Sequence, residues 1–235
     1  MRGGRRGVDL SIYWRALPYL VRNPSILAMP LLAAVVDMLL SYTSGMATDP
    51  LGGLGSGIFG MISQIIYLFA FGVAIIQGNN IARGYHTKFD DAWEEARRKA
   101  GGIILAAIGF QFIVWVASYA GSIIPIPFLG IVLQLAAYFF LILVIPAAAI
   151  GGLPGGLALS GSIRAVRANV VPCLILAVVF VLLWIGIPEL VTIYIGGQFG
   201  FLAYALILAL ARAIVLAYMA FPFATTYDDI AFKLW

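Results

Sequence analysis

Asp37 and Arg212 lie inside apolar runs long enough to cross a lipid bilayer, Ser25–Thr43 and Phe199–Phe223. A charged side chain at such depth needs a counter-charge or water, so residues of this kind mark an interhelical pair or a polar path. At 1.5 Å per residue Asp37 stands about 18 Å from Ser25, and Arg212 about 16 Å from Phe223. Opposite charges at matching depth on the first and last runs are expected to pair and close a bundle. The stripe Ala205, Ala209, Ala213 and Ala217 allows close helix approach, and Arg212 beside it is expected to point inward. Gln64 and Gln111 add polar groups in the second and third runs, with Gln77, Asn79 and Gln134 nearby. Side chains of this type inside spans commonly hydrogen-bond between helices.

Groups for catalysis are sparse. The chain has one Cys, Cys173, and one His, His86, too few for a His–Cys metal centre or a Ser-His-Asp constellation. Cys173 opens an apolar run and reads as a small buried hydrophobe. His86 sits beside Tyr85 in a charged loop and reads as solvated. Glu94-Glu95 followed by Arg97-Arg98-Lys99 is expected to be the wet face of an amphipathic helix. Gly52-Gly53-Leu54-Gly55-Ser56-Gly57 lacks the Lys-Ser/Thr that completes a phosphate loop. The expectation is a protein without catalytic activity, metal or cofactor.

The elements that carry these residues follow from charge. Of 14 Lys and Arg, all but Arg212 fall in four short segments: Arg2–Arg22, Arg83–Lys99, Arg164–Arg167 and Lys233. From Ala100 to Ile163 there is no Asp, Glu, Lys, Arg or His. Charged residues make up 10% of the chain, against roughly a quarter in soluble domains. The net charge of +4 could suit a nucleic-acid binder, but these bases are dealt out between apolar runs and form no stacking, basic face. Six spans are predicted: Ser25–Thr43, Gly57–Gly78, Gly101–Gly121, Pro127–Ile150, Val171–Tyr194 and Phe199–Phe223. The short connections Ser44–Ser56, Gly121–Pro127 and Ile187–Gln198 carry no base. Both termini are therefore expected in the cytoplasm of a multi-pass protein of the cell membrane. The apolar run starts too far from Arg2, Arg5 and Arg6 for a good signal peptide, so the first span is expected to be permanent. A single membrane domain, 1–235, with no appended catalytic domain is expected.

Each basic segment reads as a short amphipathic helix leading into a span. Thr87 and Asp90 offer a capping box, after which Phe89, Trp93, Ala96 and Ala100 make an apolar stripe. Leu159, Ile163, Val166 and Val170 make a second, and Tyr13, Leu17, Leu20 and Val21 a third, kinked or restarted at Pro18. Leu17, Leu20 and Asn23 correspond to Trp93, Ala96 and Lys99, and these to Ile163, Val166 and Asn169. The expected fold is all-α: six transmembrane helices as three parallel repeats of amphipathic helix plus helical hairpin, near 8–78, 87–150 and 157–223. Trp14, Phe89 and Trp93, with Arg97, Arg164 and Arg167, suit the headgroup layer.

The segments Trp93-Glu94-Glu95-Ala96-Arg97-Arg98-Lys99 and Ile163-Arg164-Ala165-Val166-Arg167-Ala168-Asn169 give the chain a resemblance to a group of prokaryotic six-span proteins. That group includes the membrane domain attached to some glycerophosphodiester phosphodiesterases. The resemblance implies a helical membrane module, not the part that hydrolyses the diester, and it carries over no functional residue. The expected role is a membrane-embedded accessory or organising module whose cytoplasmic helices contact anionic lipid or a protein partner. The alternative is a transporter or channel for a small solute or lipid, with Asp37, Arg212 and Gln111 on its path.

Overall fold

The computed structural model describes residues 9–46, 54–85, 88–123, 126, 128–196 and 200–234. His86, Thr87, Asp49, Arg2, Arg5, Arg6 and part of the glycine-rich loop lie outside them. All regular structure among the described residues is helical. Helix α1 (Ser11–Arg22) is followed by a 3-10 turn (Pro24–Leu27) and α2 (Ala28–Met46). Then come α3 (Leu54–Ala82), α4 (Phe89–Ile123), α5 (Leu129–Phe140), α6 (Val144–Ala149), α7 (Gly155–Ala168), α8 (Val170–Ile195) and α9 (Phe201–Leu234). Five helical stretches are long and apolar enough to cross a membrane: Gly60–Ala82, Phe89–Gly121, Leu129–Ala149, Val170–Ile195 and Phe201–Ala231. Ser11–Arg22 and Pro24–Leu40 make a sixth when the bent pair is taken as one span.

The bend between those two is 97° and falls at Asn23. Pro24 has no N–H to continue the ladder and pushes the preceding residue out of the helical region. Asn23 accordingly sits at φ −129°, ψ 66°, and both its backbone N–H and its Nδ2 donate to the Tyr19 carbonyl at 3.0 Å. Asn169 does the same between α7 and α8. Its φ is −139° and ψ 55°, and its N–H and Nδ2 donate to the Ala165 carbonyl at 3.0 and 3.2 Å. At Lys99 there is no break, and α4 runs straight through as a single helix. Pro18 does not divide α1, which stays helical from Ser11 to Arg22.

The fourth predicted span is broken over residues 141–143. Pro146 cannot donate to the Ile142 carbonyl and its ring crowds that group. The freed backbone is met from α7: the Leu143 N–H donates to Ser162 Oγ at 3.1 Å, and that hydroxyl donates to the Phe140 carbonyl at 2.9 Å. At the start of α4, Asp91 Oδ2 accepts the Lys88 N–H at 3.2 Å; the expected Thr87–Asp90 capping box involves Thr87 and so lies outside the described residues.

Burial is most continuous in one half of the bundle, the end that carries α1, α7 and the basic residues. There α3 is buried without interruption from Ala70 to Asn79, and every residue of α6 is buried. Gly78 lets α3 and α9 approach so closely that an added Cβ would stand 3.2 Å from the Ala220 carbonyl. Toward the opposite, hairpin end, α5 buries no residue, α8 buries none beyond Leu176, and α9 buries none before Ala209.

Candidate functional site

The boundary between the packed and the open half is marked by a charged cluster. Arg212 Nη1 on α9 donates to Asp37 Oδ2 on α2 at 2.9 Å. From α3, Ser63 Oγ donates to Asp37 Oδ1, and Tyr67 Oη reaches Oδ2 at 3.4 Å. The cluster thus ties three helices, and among the described residues no buried side-chain N or O lacks a partner. Ser63 and Tyr67 were not singled out from the sequence. Their i, i+4 spacing, which puts both hydroxyls on one helix face, was the available signal. Gln64 is exposed and Gln111 half-buried, and neither hydrogen-bonds the pair. Gln77 is buried and donates to Ser25 Oγ at 2.7 Å, while Gln134 is half-buried on α5.

A run of aromatic rings leads from the pair into the packed half. Tyr67 meets Trp184 edge-on at 5.8 Å, and Trp184 stacks on Phe180. Phe180, Phe71 and Phe223 then touch one another with centroids 5.0–6.2 Å apart. These contacts bring one face of α8 against α3 and α9.

The amphipathic helices divide into two kinds. In α4 the stripe turns inward: Ala92 and Ala96 are buried, and Trp93 packs edge-on against Phe69 of α3 at 6.2 Å and stacks on Phe89. Trp93 and Phe89 are each half-buried, and Trp93 reaches α3 because α4 does not bend away from the bundle at Lys99. Lys99 instead pairs with Glu95 at 2.6 Å and donates to the Ala149 carbonyl at 2.8 Å, which caps the end of α6. Arg97 is exposed.

In α1 the inward stripe is Ala16, buried, with Tyr13 and Leu20, half-buried, fastened to α9 by the Tyr218 hydroxyl, which donates to the Tyr13 carbonyl at 2.9 Å. Tyr19 stacks on Phe221 at 4.7 Å. A second apolar ridge, Leu10, Trp14, Leu17 and Val21, remains exposed, with Trp14 at 76%. The Ser11 hydroxyl and N–H at the head of α1 hold the Asp9 carboxyl below its usual range. On α7, Ala158, Ser162, Ala165 and Val166 face inward. Arg164 and Arg167 are exposed and, with Ser160, Ile163 and Ala168, line a shallow depression of about 560 Å³. Arg83 and Asp228 form an exposed ion pair at 2.8 Å between the ends of α3 and α9.

These features define an all-helical protein with five to six helices long and apolar enough to span a membrane. No family model, curated protein or solved structure matches the chain.

Proposed function

We propose that the chain is a non-catalytic, multi-pass module of the cell membrane. It is built as three parallel repeats, with its basic end in the cytoplasm and in contact with anionic lipid. The carrying observation is α1. Its 97° bend from the following helix lays it along the bilayer plane if that helix crosses the membrane, and it leaves Leu10, Trp14, Leu17 and Val21 uncovered. Those residues recur at i, i+4, i+7 and i+11 and so share one face, while Arg15 and Arg22 lie on another. An apolar ridge bordered by guanidinium groups suits the boundary of acyl chains and headgroups. Arg164 and Arg167 on α7 extend the basic surface at the same end of the bundle. The repeat is supported by the matching breaks at Asn23 and Asn169 and by the inward position of α3, α6 and α9 in all three hairpins.

Two single-tryptophan variants test the reading in proteoliposomes, one keeping Trp14 and one Trp93, with the others changed to Phe. Trp14 should be quenched strongly by brominated acyl chains and weakly by aqueous iodide, and Trp93 weakly by both. Trp14 as open to iodide as free indole would lift α1 off the membrane and remove the main support for lipid contact.

A further inference from the structure

We infer that the hairpin half of the bundle holds a polar recess floored by the Asp37–Arg212 pair, and that this recess binds a small zwitterionic solute bearing one carboxylate and one ammonium group. The inference concerns the opposite end of the molecule from the lipid-contacting helices and does not depend on them.

The space is indicated from two helices. On α9 the outward ridge is Leu202, Leu206, Leu210 and Ile214, all exposed. Arg212 lies on the far side of the helix from that ridge at 100° per residue. Even so, 34% of its side chain remains uncovered, and 17% of that of Asp37. On α3, Gly60 shares a face with Ser63 and Tyr67 one turn nearer the hairpin end, and a Cβ built on it meets nothing within 4 Å. The proposed recess runs from the ion pair past Gly60 toward the hairpin end. Toward the packed end the space between α3, α8 and α9 is taken up by the touching rings of Phe71, Phe180 and Phe223.

Uncovered guanidinium and carboxylate surface at mid-depth requires water or a polar solute beside it. The pair has no net charge. A singly charged ligand would leave uncompensated charge in a low dielectric, whereas a zwitterion adds none. Arg212 engages Asp37 through Nη1, and its planar fork has further N–H groups to offer a carboxylate. Asp37 holds one donor on Oδ1 and shares Oδ2, and a carboxylate has lone pairs enough to accept an ammonium as well.

The test uses Gly60→Cys in the full chain, checked for an unaltered elution profile, reconstituted and exposed to a charged, membrane-impermeant thiol reagent on the hairpin side. The probes are alanine and glycine betaine, with sodium chloride and glycerol at equal concentration as controls. Cys at position 60 should react far faster than Cys at the lipid-facing Leu206. Alanine, at about twice its dissociation constant, should slow it roughly threefold, with little effect from either control. In Gly60→Cys combined with Arg212→Gln, labelling should persist and the protection should vanish. Reaction no faster at 60 than at 206 would overturn the recess. Rapid labelling without protection by either zwitterion, or equal protection by sodium chloride, would overturn the assignment of its ligand.

Discussion

Asp37 lies in a short network whose members come from three helices, and the value of each depends on the others. Removing Asp37 strands a guanidinium in low dielectric, and removing Arg212 strands a carboxylate held only by Ser63 and a long contact from Tyr67. Broken buried pairs cost roughly 3–5 kcal/mol, less where a partner is a third exposed as Arg212 is. We expect Asp37→Ala and Arg212→Ala each to lower stability in detergent by about 2–3 kcal/mol, and the double variant to cost clearly less than their sum. A double-mutant cycle by thermal unfolding checks this, and plain additivity would show that the two groups do not support each other. Ser162 illustrates the same dependence without charge: its hydroxyl has value because the α5–α6 break supplies an unpaired Leu143 N–H and a Phe140 carbonyl to meet it.

The helices owe their breaks and crossings to single residues. Asn23 and Asn169 end one helix and start the next with the same hydrogen bonds to the carbonyl four residues back. The α4–α5 hairpin closes through a glycine pair: a Cβ on Gly121 would stand 2.0 Å from the Gly130 Cα, where no side chain can yield. Gly60, in contrast, faces open space. Gly121→Ala should therefore force α4 and α5 apart at about 1–3 kcal/mol. Gly60→Ala should leave stability unchanged or raise it by up to about 1 kcal/mol through helix propensity. Melting temperatures of the two variants against the parent decide the matter; a harmless alanine at 121 would mean that this crossing is looser than the structure has it.

Across the whole molecule, the proposed orientation follows from where the bases lie, and the helix packing places those bases at one end. A cysteine at Ser160 on α7 and one at Ile195 at the end of α8 should respond oppositely to an impermeant reagent added to intact cells. Position 195 should be labelled and position 160 protected. The reverse pattern would invert the topology while leaving the fold as described.

The chain's own residues settled that long apolar helices dominate it and where most of them begin and end, because hydrocarbon length and hydropathy are local properties of a run. They also singled out Asp37 and Arg212, since charge in such a run stands out whatever surrounds it. Their partners Ser63 and Tyr67 were legible only as two hydroxyls on one helix face: a hydroxyl is common in spans, and its importance comes from the helix that happens to face it. The break at 141–143 follows from Pro146, but which residue would satisfy it depended on α7 lying across the gap. Trp14 and Trp93 show the division plainly. Both sit beside bases on amphipathic helices, yet the first is left uncovered and the second packs on Phe69. That outcome rests on whether the chain bends at Asn23 or runs straight through Lys99, and on which neighbouring helix then stands within reach of the ring. Pattern determines which faces are apolar. Only the packing of all the helices together decides what covers them.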